Sequence, residues 1–241
     1  MVAALAAVIL AAWAYLLAGA GMDSHEMDGM TMPMMRGEWS AGYFALMLVM
    51  WSVMMAAMML PSALPMILFH AMISRQRAQT KSATAWFVVG YVAVWSAFSL
   101  AATALQWALA TAELLSPMME SSSRALAGAL LIAAGGYQWT PLKQSCLRKC
   151  RSPLDFVIEF WREGRWGSFA MGMRHGAFCV GCCWLLMLLL FVGGLMNLAW
   201  IAGLAAFVLV EKLAPAGHWA GRVAGAILAA WGLWELVRLA A

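Results

Sequence analysis

The most constraining feature of this chain is a series of long apolar runs separated by short polar segments. Hydrophobic residues make up 65% of the 241 residues, and charged residues only 11%. Backbone N–H and C=O groups inside hydrocarbon must pair within the protein, so continuous runs of this length favour helices over the alternating strands of a barrel. The sequence therefore predicts an all-α, polytopic transmembrane bundle that forms one domain over residues 1–241.

About seven spans can be placed, because a helix needs about 20 residues to cross a bilayer. The predicted spans are 2–20, a second that begins near Gly42 and reaches Pro61, 84–110, 125–142, 168–193, 198–213 and 219–238. The first carries no preceding charge, so it is expected to be a retained helix rather than a cleaved signal.

The charged segments predict an orientation in the bacterial inner membrane. Segments 74–82 and 143–153 are basic, which places them in the cytoplasm. Residues 154–166 mix aromatic and charged side chains, as in a short amphipathic helix lying in the cytoplasmic interface. The net charge of +4 collects in these few segments, so nucleic-acid binding is not expected.

Three of the five cysteines fall within one predicted span, at Cys179, Cys182 and Cys183. On an ideal helix they share one side with His175 and Met187. His175 and Met187 lie about 18 Å apart along the helix axis. The three cysteines can therefore contact one site, but His175 and Met187 cannot both contact it. The pattern predicts a soft-metal site or a redox thiol pair, with core packing as the alternative.

A methionine-rich segment joins the first two predicted spans and is expected to form an extracytoplasmic loop over residues 21–38. Residues 21–35 hold six methionines, one histidine and three acids. Thioethers favour Cu(I) and remain ligands without losing a proton. The segment predicts metal capture, with a disordered linker as the alternative. The candidate ligands are Met22, His25, Met27, Met30, Met32 and Met34.

The second predicted span carries a methionine stripe made of Met47, Met50, Met54 and Met58, with Met55 and Met59 on its flank. Packing and metal contact explain this stripe equally well, because methionine fills irregular helix interfaces and also binds soft metals. The prolines that follow are expected to kink the helix.

The remaining two cysteines, Cys146 and Cys150, lie in the basic segment 143–153 and would share a face of a helix. Flanking cations are expected to lower the pKa of both thiols. The pair predicts a reversible disulfide or a cytosolic metal-handover site, with exposed structural thiols as the alternative.

Two blocks of the sequence together resemble a known family. The first runs from Trp51 to Pro61 with Ser62 and Pro65; the second runs from Cys179 through Trp184, Met187, Gly193 and Met196-Asn197-Leu198 to Glu211-Lys212. They resemble a functionally uncharacterised bacterial family described as predicted metal-binding integral membrane proteins, over residues 40–215. The resemblance implies a membrane location and metal binding.

The leading hypothesis is an inner-membrane protein that handles Cu(I) by ligand exchange between methionine and cysteine sites, for transport or delivery. His175 and the Met47, Met50, Met54 and Met58 stripe would complete the Cys179, Cys182 and Cys183 site. The expected partners are the lipid bilayer and a metallochaperone or membrane complex. Two alternatives stay open: a non-catalytic subunit or assembly factor, and a membrane thiol–disulfide oxidoreductase. A membrane thiol–disulfide oxidoreductase usually needs cysteines near the outer surface, and no cysteine is expected there, so an enzyme is the less favoured class.

Overall fold

The computed structural model describes residues 2–19, 25–27, 30–32, 39–80, 82–116 and 119–240. These residues form a helical bundle, as predicted, together with one short antiparallel hairpin. The elements are α1 (Val2–Leu17), β1 (His25–Met27), β2 (Met30–Met32), α2 (Ala41–Gln76), α3 (Ala83–Thr111), α4 (Arg124–Tyr137), α5 (Pro141–Arg151), α6 (Pro153–Phe160), α7 (Gly164–Leu188), α8 (Leu190–Gly193), α9 (Leu198–Leu213) and α10 (Gly217–Ala240).

Within the described part of the chain, four helices are long and apolar enough to cross a membrane. They are α2, α3, the continuous pair α7 and α8, and α10. Helices α1, α4 and α9 have 16, 14 and 16 residues. At about 1.5 Å per residue they reach only about 21–24 Å, against about 30 Å of hydrocarbon. The bundle is therefore consistent with a membrane protein, but the predicted count of seven spans is not supported.

Helix α2 is much longer than predicted, because it continues through Pro61 and Pro65 to Gln76. Its start is capped by Ser40, whose hydroxyl accepts a hydrogen bond from the Tyr43 backbone N–H. Beside the first proline, the Ser62 hydroxyl donates to the Met59 carbonyl at 2.9 Å. Prolines within a helix are tolerated where neighbouring helices pack against it, as they do here.

Helices α3 and α7 pack backbone against backbone at two glycines. A methyl group at Gly172 would run into the Phe87 carbonyl, and one at Gly90 would run into the Phe169 carbonyl. Small residues allow such close approach between apolar helices, where dispersion contacts supply most of the attraction. The consequence is that α3 is held directly against the cysteine-bearing face of α7.

The basic segment predicted to be a cytoplasmic loop is instead the helix α5, which packs against α7 and α9. Thr140 caps its start through the Lys143 backbone N–H, and Pro141 occupies its first turn. The Lys143 ammonium is fully buried and lies 2.9 Å from a carboxylate oxygen of Glu211. A buried ammonium requires such a partner, which explains why this basic segment folds into the bundle.

The predicted interfacial helix 154–166 is shorter than expected, since α6 ends at Phe160 and α7 begins at Gly164. Phe156 is fully buried, and its ring centroid lies 5.3 Å from that of His175. Leu154 and Ile158 point away from the bundle and are exposed. The helix is amphipathic as predicted, but one apolar face packs on the protein itself.

The bundle has two ends that are named here by their connections. The loop end contains the 112–123 connection and the 194–197 turn, and the α5 end contains α5, α6 and the start of α7. At the loop end the Ser121 backbone N–H donates to the Phe191 carbonyl at 2.7 Å. The Asn197 side chain accepts from the Trp200 N–H and caps α9. These contacts fix the 112–123 connection against α8.

A buried cysteine and lysine cluster

The Cys179 thiol lies at the centre of the bundle between three helices. Its Sγ is 2.8 Å from Nζ of Lys212 on α9 and 3.1 Å from the hydroxyl oxygen of Tyr91 on α3. All three side chains are buried. An ammonium group and a polarizable sulfur therefore share one site away from the surface.

Lys212 also connects this site to α2. Its ammonium donates to the Ser62 hydroxyl at 3.1 Å, and the Met59 carbonyl accepts hydrogen bonds from both Ser62 and Tyr91. A buried charge is tolerated only when hydrogen-bonding partners replace water around it. Here Cys179 and Ser62 supply those partners.

Cys182 and Cys183 are fully buried one turn further along α7. Both thiols donate to the Cys179 carbonyl, at 3.1 and 2.9 Å. The Cys183 sulfur also lies 3.9 Å from the thioether sulfur of Met59. The three cysteines share one side of α7, as predicted. Met59 of α2 adds a thioether sulfur to this group.

The two cysteines of α5 join the same region. The Cys150 thiol lies near the thiols of Cys179 and Cys182, although the residue is partly exposed. The Cys146 sulfur lies directly over Gly181, 2.8 Å from where a side chain at that glycine would begin. All five cysteines of the chain are free thiols gathered along α7, so the predicted separate cytosolic pair is continuous with the central cluster.

The expectation that flanking cations lower the pKa of the α5 thiols is wrong. Burial raises the pKa of Cys146, and hydrogen bonds with the Cys179 and Cys182 thiols raise the pKa of Cys150. The neighbouring cations have other partners. Arg148 donates to Ser145, Lys149 to the Glu159 carboxylate, and Arg151 to the carbonyls of Glu211, Ala214 and Pro215 at the end of α9.

His175 lies one turn before Cys179 and is buried among aromatic rings. Its centroid is 5.7 Å from that of Tyr91 and 6.0 Å from that of Phe87. Its Nδ1 atom has no hydrogen-bond partner within the described residues. Met187, on the opposite side of the cysteines, is also fully buried. The metal role of His175 stays a prediction.

The methionine stripe of α2 is buried along its whole length. The sulfur that contacts the cysteines belongs to Met59, on the flank of the stripe, whereas the Met47 sulfur accepts a hydrogen bond from Gln106. A metal-binding role stays a prediction for Met47, Met50, Met54 and Met58.

Part of the methionine-rich loop forms the β1–β2 hairpin, in which His25 pairs with Met32 and Met27 with Met30. Met22 and Met34 lie outside the described residues. The capture of metal by this loop stays a prediction.

The donor set suits a soft metal, but its atoms are engaged with one another. Within the described ranges, no three histidine, cysteine or acidic side chains form a ready-made metal cage. The reason is visible in the hydrogen bonds, because the Cys182 and Cys183 thiols turn to a backbone carbonyl and Lys212 lies against Cys179. Rotation of cysteine side chains and withdrawal of the ammonium would bring thiolate and thioether donors together, and such donors select Cu(I).

Sequence reasoning missed four of the residues around Cys179. Lys212 was given no role from the sequence, although a charged residue in an apolar span is itself a signal of function. Ser62 and Met59 lie in the block of α2 that carries the family resemblance. Tyr91 stands in an apolar stretch of α3 with no pattern to distinguish it.

The fold and the cluster define a mainly helical, largely apolar protein with a buried thiol, thioether and ammonium site. The sequence pattern of the PpoB2 family, described as copper chaperone, matches residues 48–235, which is 188 of the 241 residues. The chain belongs to this copper chaperone family. The matched region includes the whole of the cysteine and lysine cluster. Neither a curated protein nor a solved structure matches the chain.

Proposed function

We propose that this protein is an integral membrane copper-handling protein that binds Cu(I) at Cys179, Cys182 and Cys183 and passes it on by exchange between sulfur ligands. The observation that carries the proposal is the convergence of buried thiols and the Met59 thioether within the family-matched region. Thiolates and thioethers prefer Cu(I) among the common biological metals.

The Lys212 ammonium supplies a positive charge beside the Cys179 sulfur when no metal is bound. Its ammonium lies 2.8 Å from the Cys179 sulfur, where a cationic metal would also have to approach. Two cations at one sulfur repel each other, so Cu(I) entry favours movement of the ammonium off the thiol while it keeps its hydrogen bond to Ser62. Metal binding thereby exchanges one cation for another at a buried position.

The five thiols suggest the direction in which the metal leaves. Cys150 contacts the central thiols and is partly exposed, and Cys146 lies one helical turn from it on α5. Each transfer would make a new bond to sulfur before an old one breaks, so no free ion enters the apolar interior. A soluble metallochaperone or a membrane complex would receive copper at the α5 end, on the cytoplasmic side of the inner membrane.

Elemental analysis of the purified protein tests the proposal. The protein in detergent, under reducing conditions, is loaded with Cu(I) and washed, and bound copper is measured for wild type and for a Cys179/Cys182/Cys183→Ser triple variant. We expect near-stoichiometric copper at the cysteine site in the wild type and the loss of about one equivalent in the variant. Equal copper in both proteins would exclude the cysteine site.

A methionine pair on α2 provides a matched control. Met59→Leu removes the thioether beside Cys183 and should weaken Cu(I) binding by about tenfold, or about 1.4 kcal/mol. Met55→Leu removes an equally buried methionine one turn earlier and should leave Cu(I) affinity unchanged. Equal weakening by both substitutions would assign the loss to packing rather than to ligation.

A further inference from the structure

Gln106 of α3 makes an uncommon pair of contacts near the loop end. Its amide nitrogen donates to two thioether sulfurs, Met47 at 3.6 Å and Met119 at 3.3 Å. Gln106 and Met47 are almost completely buried, whereas Met119 is partly exposed. One nitrogen therefore contacts two soft sulfur atoms, one buried and one on a partly exposed residue.

The orientation of this amide is fixed by Trp51. The indole N–H of Trp51 donates to the Gln106 side-chain oxygen at 2.8 Å. An indole nitrogen can only donate, so the amide oxygen must face Trp51 and the NH₂ group must face the sulfurs. The hydrogen bond from Trp51 therefore prevents the amide from rotating and keeps its NH₂ group on the two thioethers.

Met119 is directed inward by an unfavourable backbone conformation. Its φ is +58°, a left-handed value that residues other than glycine seldom adopt. The 112–123 connection is held by the Ser116 N–H to the Glu120 carbonyl at 2.8 Å and by Ser121 to Phe191. Strained conformations that the surroundings enforce are concentrated at functional sites.

We infer that Met47 and Met119 form a second, thioether site for Cu(I) at the loop end, with the Gln106 amide occupying the position that the metal would take. This inference rests on the proposed copper function and adds an entry site distinct from the cysteines. The two sulfurs are at most about 6.9 Å apart. Metal–sulfur bonds of about 2.3 Å require about 4.6 Å or less, a shift within reach of flexible methionine side chains.

The chemistry of this site suits the first contact with metal. Thioethers bind without losing a proton, and a neutral amide gives way more readily than an ammonium does. Met119 follows the end of α3, at the end of the bundle where α2 begins. Copper would meet thioethers first and thiols later.

Methionine methyl NMR with Ag(I), a diamagnetic substitute for Cu(I), tests the inference. The full-length protein carries ¹³C-methyl methionine, and the Met47 and Met119 signals are assigned by loss in Met47→Leu and Met119→Leu. The titration is run on the Cys179/Cys182/Cys183→Ser variant, so the result does not depend on the thiols. We expect both signals to shift together at the first equivalents of Ag(I). Stationary Met47 and Met119 signals would overturn the inference.

Gln106→Glu provides a gain-of-function variant. The carboxylate still accepts from Trp51 but cannot donate to the sulfurs, and it offers an oxygen ligand and a negative charge. Ag(I) should then shift the Met47 and Met119 signals at roughly tenfold lower concentration. Met66→Leu, which replaces a buried methionine of α2 outside the stripe, should leave both signals and their Ag(I) response unchanged. An unchanged Ag(I) response in Gln106→Glu would contradict the assignment of the amide as the group that metal displaces.

The outcomes separate this inference from the proposed function. Shifts of Met47 and Met119 in the cysteine variant, combined with no copper at the cysteines of the wild type, would support the thioether site and exclude the proposed cysteine site. Copper at the cysteines with stationary Met47 and Met119 signals would support the proposed cysteine site and exclude the thioether site.

Discussion

The centre of the bundle and its loop end both place a nitrogen donor on sulfur, but they do so with different charge. At the centre the Lys212 ammonium contacts a thiol, and at the loop end the Gln106 amide contacts two thioethers. A thiol can lose a proton and become an anion, whereas a thioether stays neutral. The charged donor thus contacts the sulfur that can become an anion, and the neutral donor contacts the sulfurs that stay neutral.

This difference extends into the surrounding structure. The ammonium at the centre belongs to a helix end that also carries Glu211, and Glu211 pairs with a second buried cation, Lys143. The amide at the loop end needs only the Trp51 indole. The charged site therefore lies beside a second buried charge pair, while the amide of the neutral site is oriented by one hydrogen bond.

The largest effect is expected from Glu211→Gln, which breaks the charge network at the centre. It leaves the Lys143 ammonium buried beside a neutral amide, and the loss of one partner of a buried pair costs about 3–5 kcal/mol in stability. Thermal unfolding of the detergent-solubilised protein measures this cost.

Glu163→Gln provides the control for this substitution. Glu163 pairs with Arg77 at 3.6 Å, with both side chains more than half exposed to solvent. Exposed ion pairs contribute little, so the melting temperature should not change measurably. Similar losses for Glu163→Gln and Glu211→Gln would show that the central charge network is not special.

The second effect is a different response of the two sites to pH. Cysteine ligands release protons when they bind metal, so Cu(I) affinity at the cysteines should fall by about tenfold per pH unit for each proton released as the pH is lowered. Thioethers release none, and affinity at Met47 and Met119 should stay constant. Competition with a chromogenic Cu(I) chelator, in Met119→Leu and in the cysteine triple variant, measures each site separately. Equal pH dependence would remove the distinction between them.

The smallest effect concerns alkylation of Cys146. Burial raises the pKa of this thiol, so a smaller fraction is thiolate near neutral pH in the folded protein than in the unfolded chain. Iodoacetamide should modify Cys146 a few-fold more slowly in the folded protein, and the difference should narrow as the pH rises through the folded-state pKa. Mass spectrometry of the Cys146 peptide gives the rate. Faster reaction in the folded state would restore the original expectation that nearby cations activate this thiol.

The sequence predicted the helical class and the shared face of Cys179, Cys182 and Cys183, because both depend on local periodicity. It also predicted helix α3 almost to its ends. The length of α2 was not predictable in the same way, since proline ordinarily ends or kinks a helix and its tolerance at Pro61 depends on the packed bundle.

The prediction for α5 was wrong for a different reason. The rule that basic loops remain in the cytoplasm counts charges and takes no account of partners. Lys143 finds its partner 68 residues later in the chain, at Glu211, and this long-range pair draws the helix into the protein. The contacts of Cys150 with the central thiols follow from that pair and could not be read from local spacing.

Glu211 and Lys212 are adjacent on α9, yet their side chains serve two separate neighbourhoods, Lys143 on one side and Cys179 on the other. Insertion or deletion of one residue between the Asn197 cap and this pair would rotate the helix end by about 100°. An insertion would bring the Glu211 carboxylate to the thiol, and a deletion would bring Lys212 to face Lys143. The length of α9 is therefore as strictly determined as the identity of its two charged residues, and sequence changes that preserve its apolar character can still be incompatible with the fold.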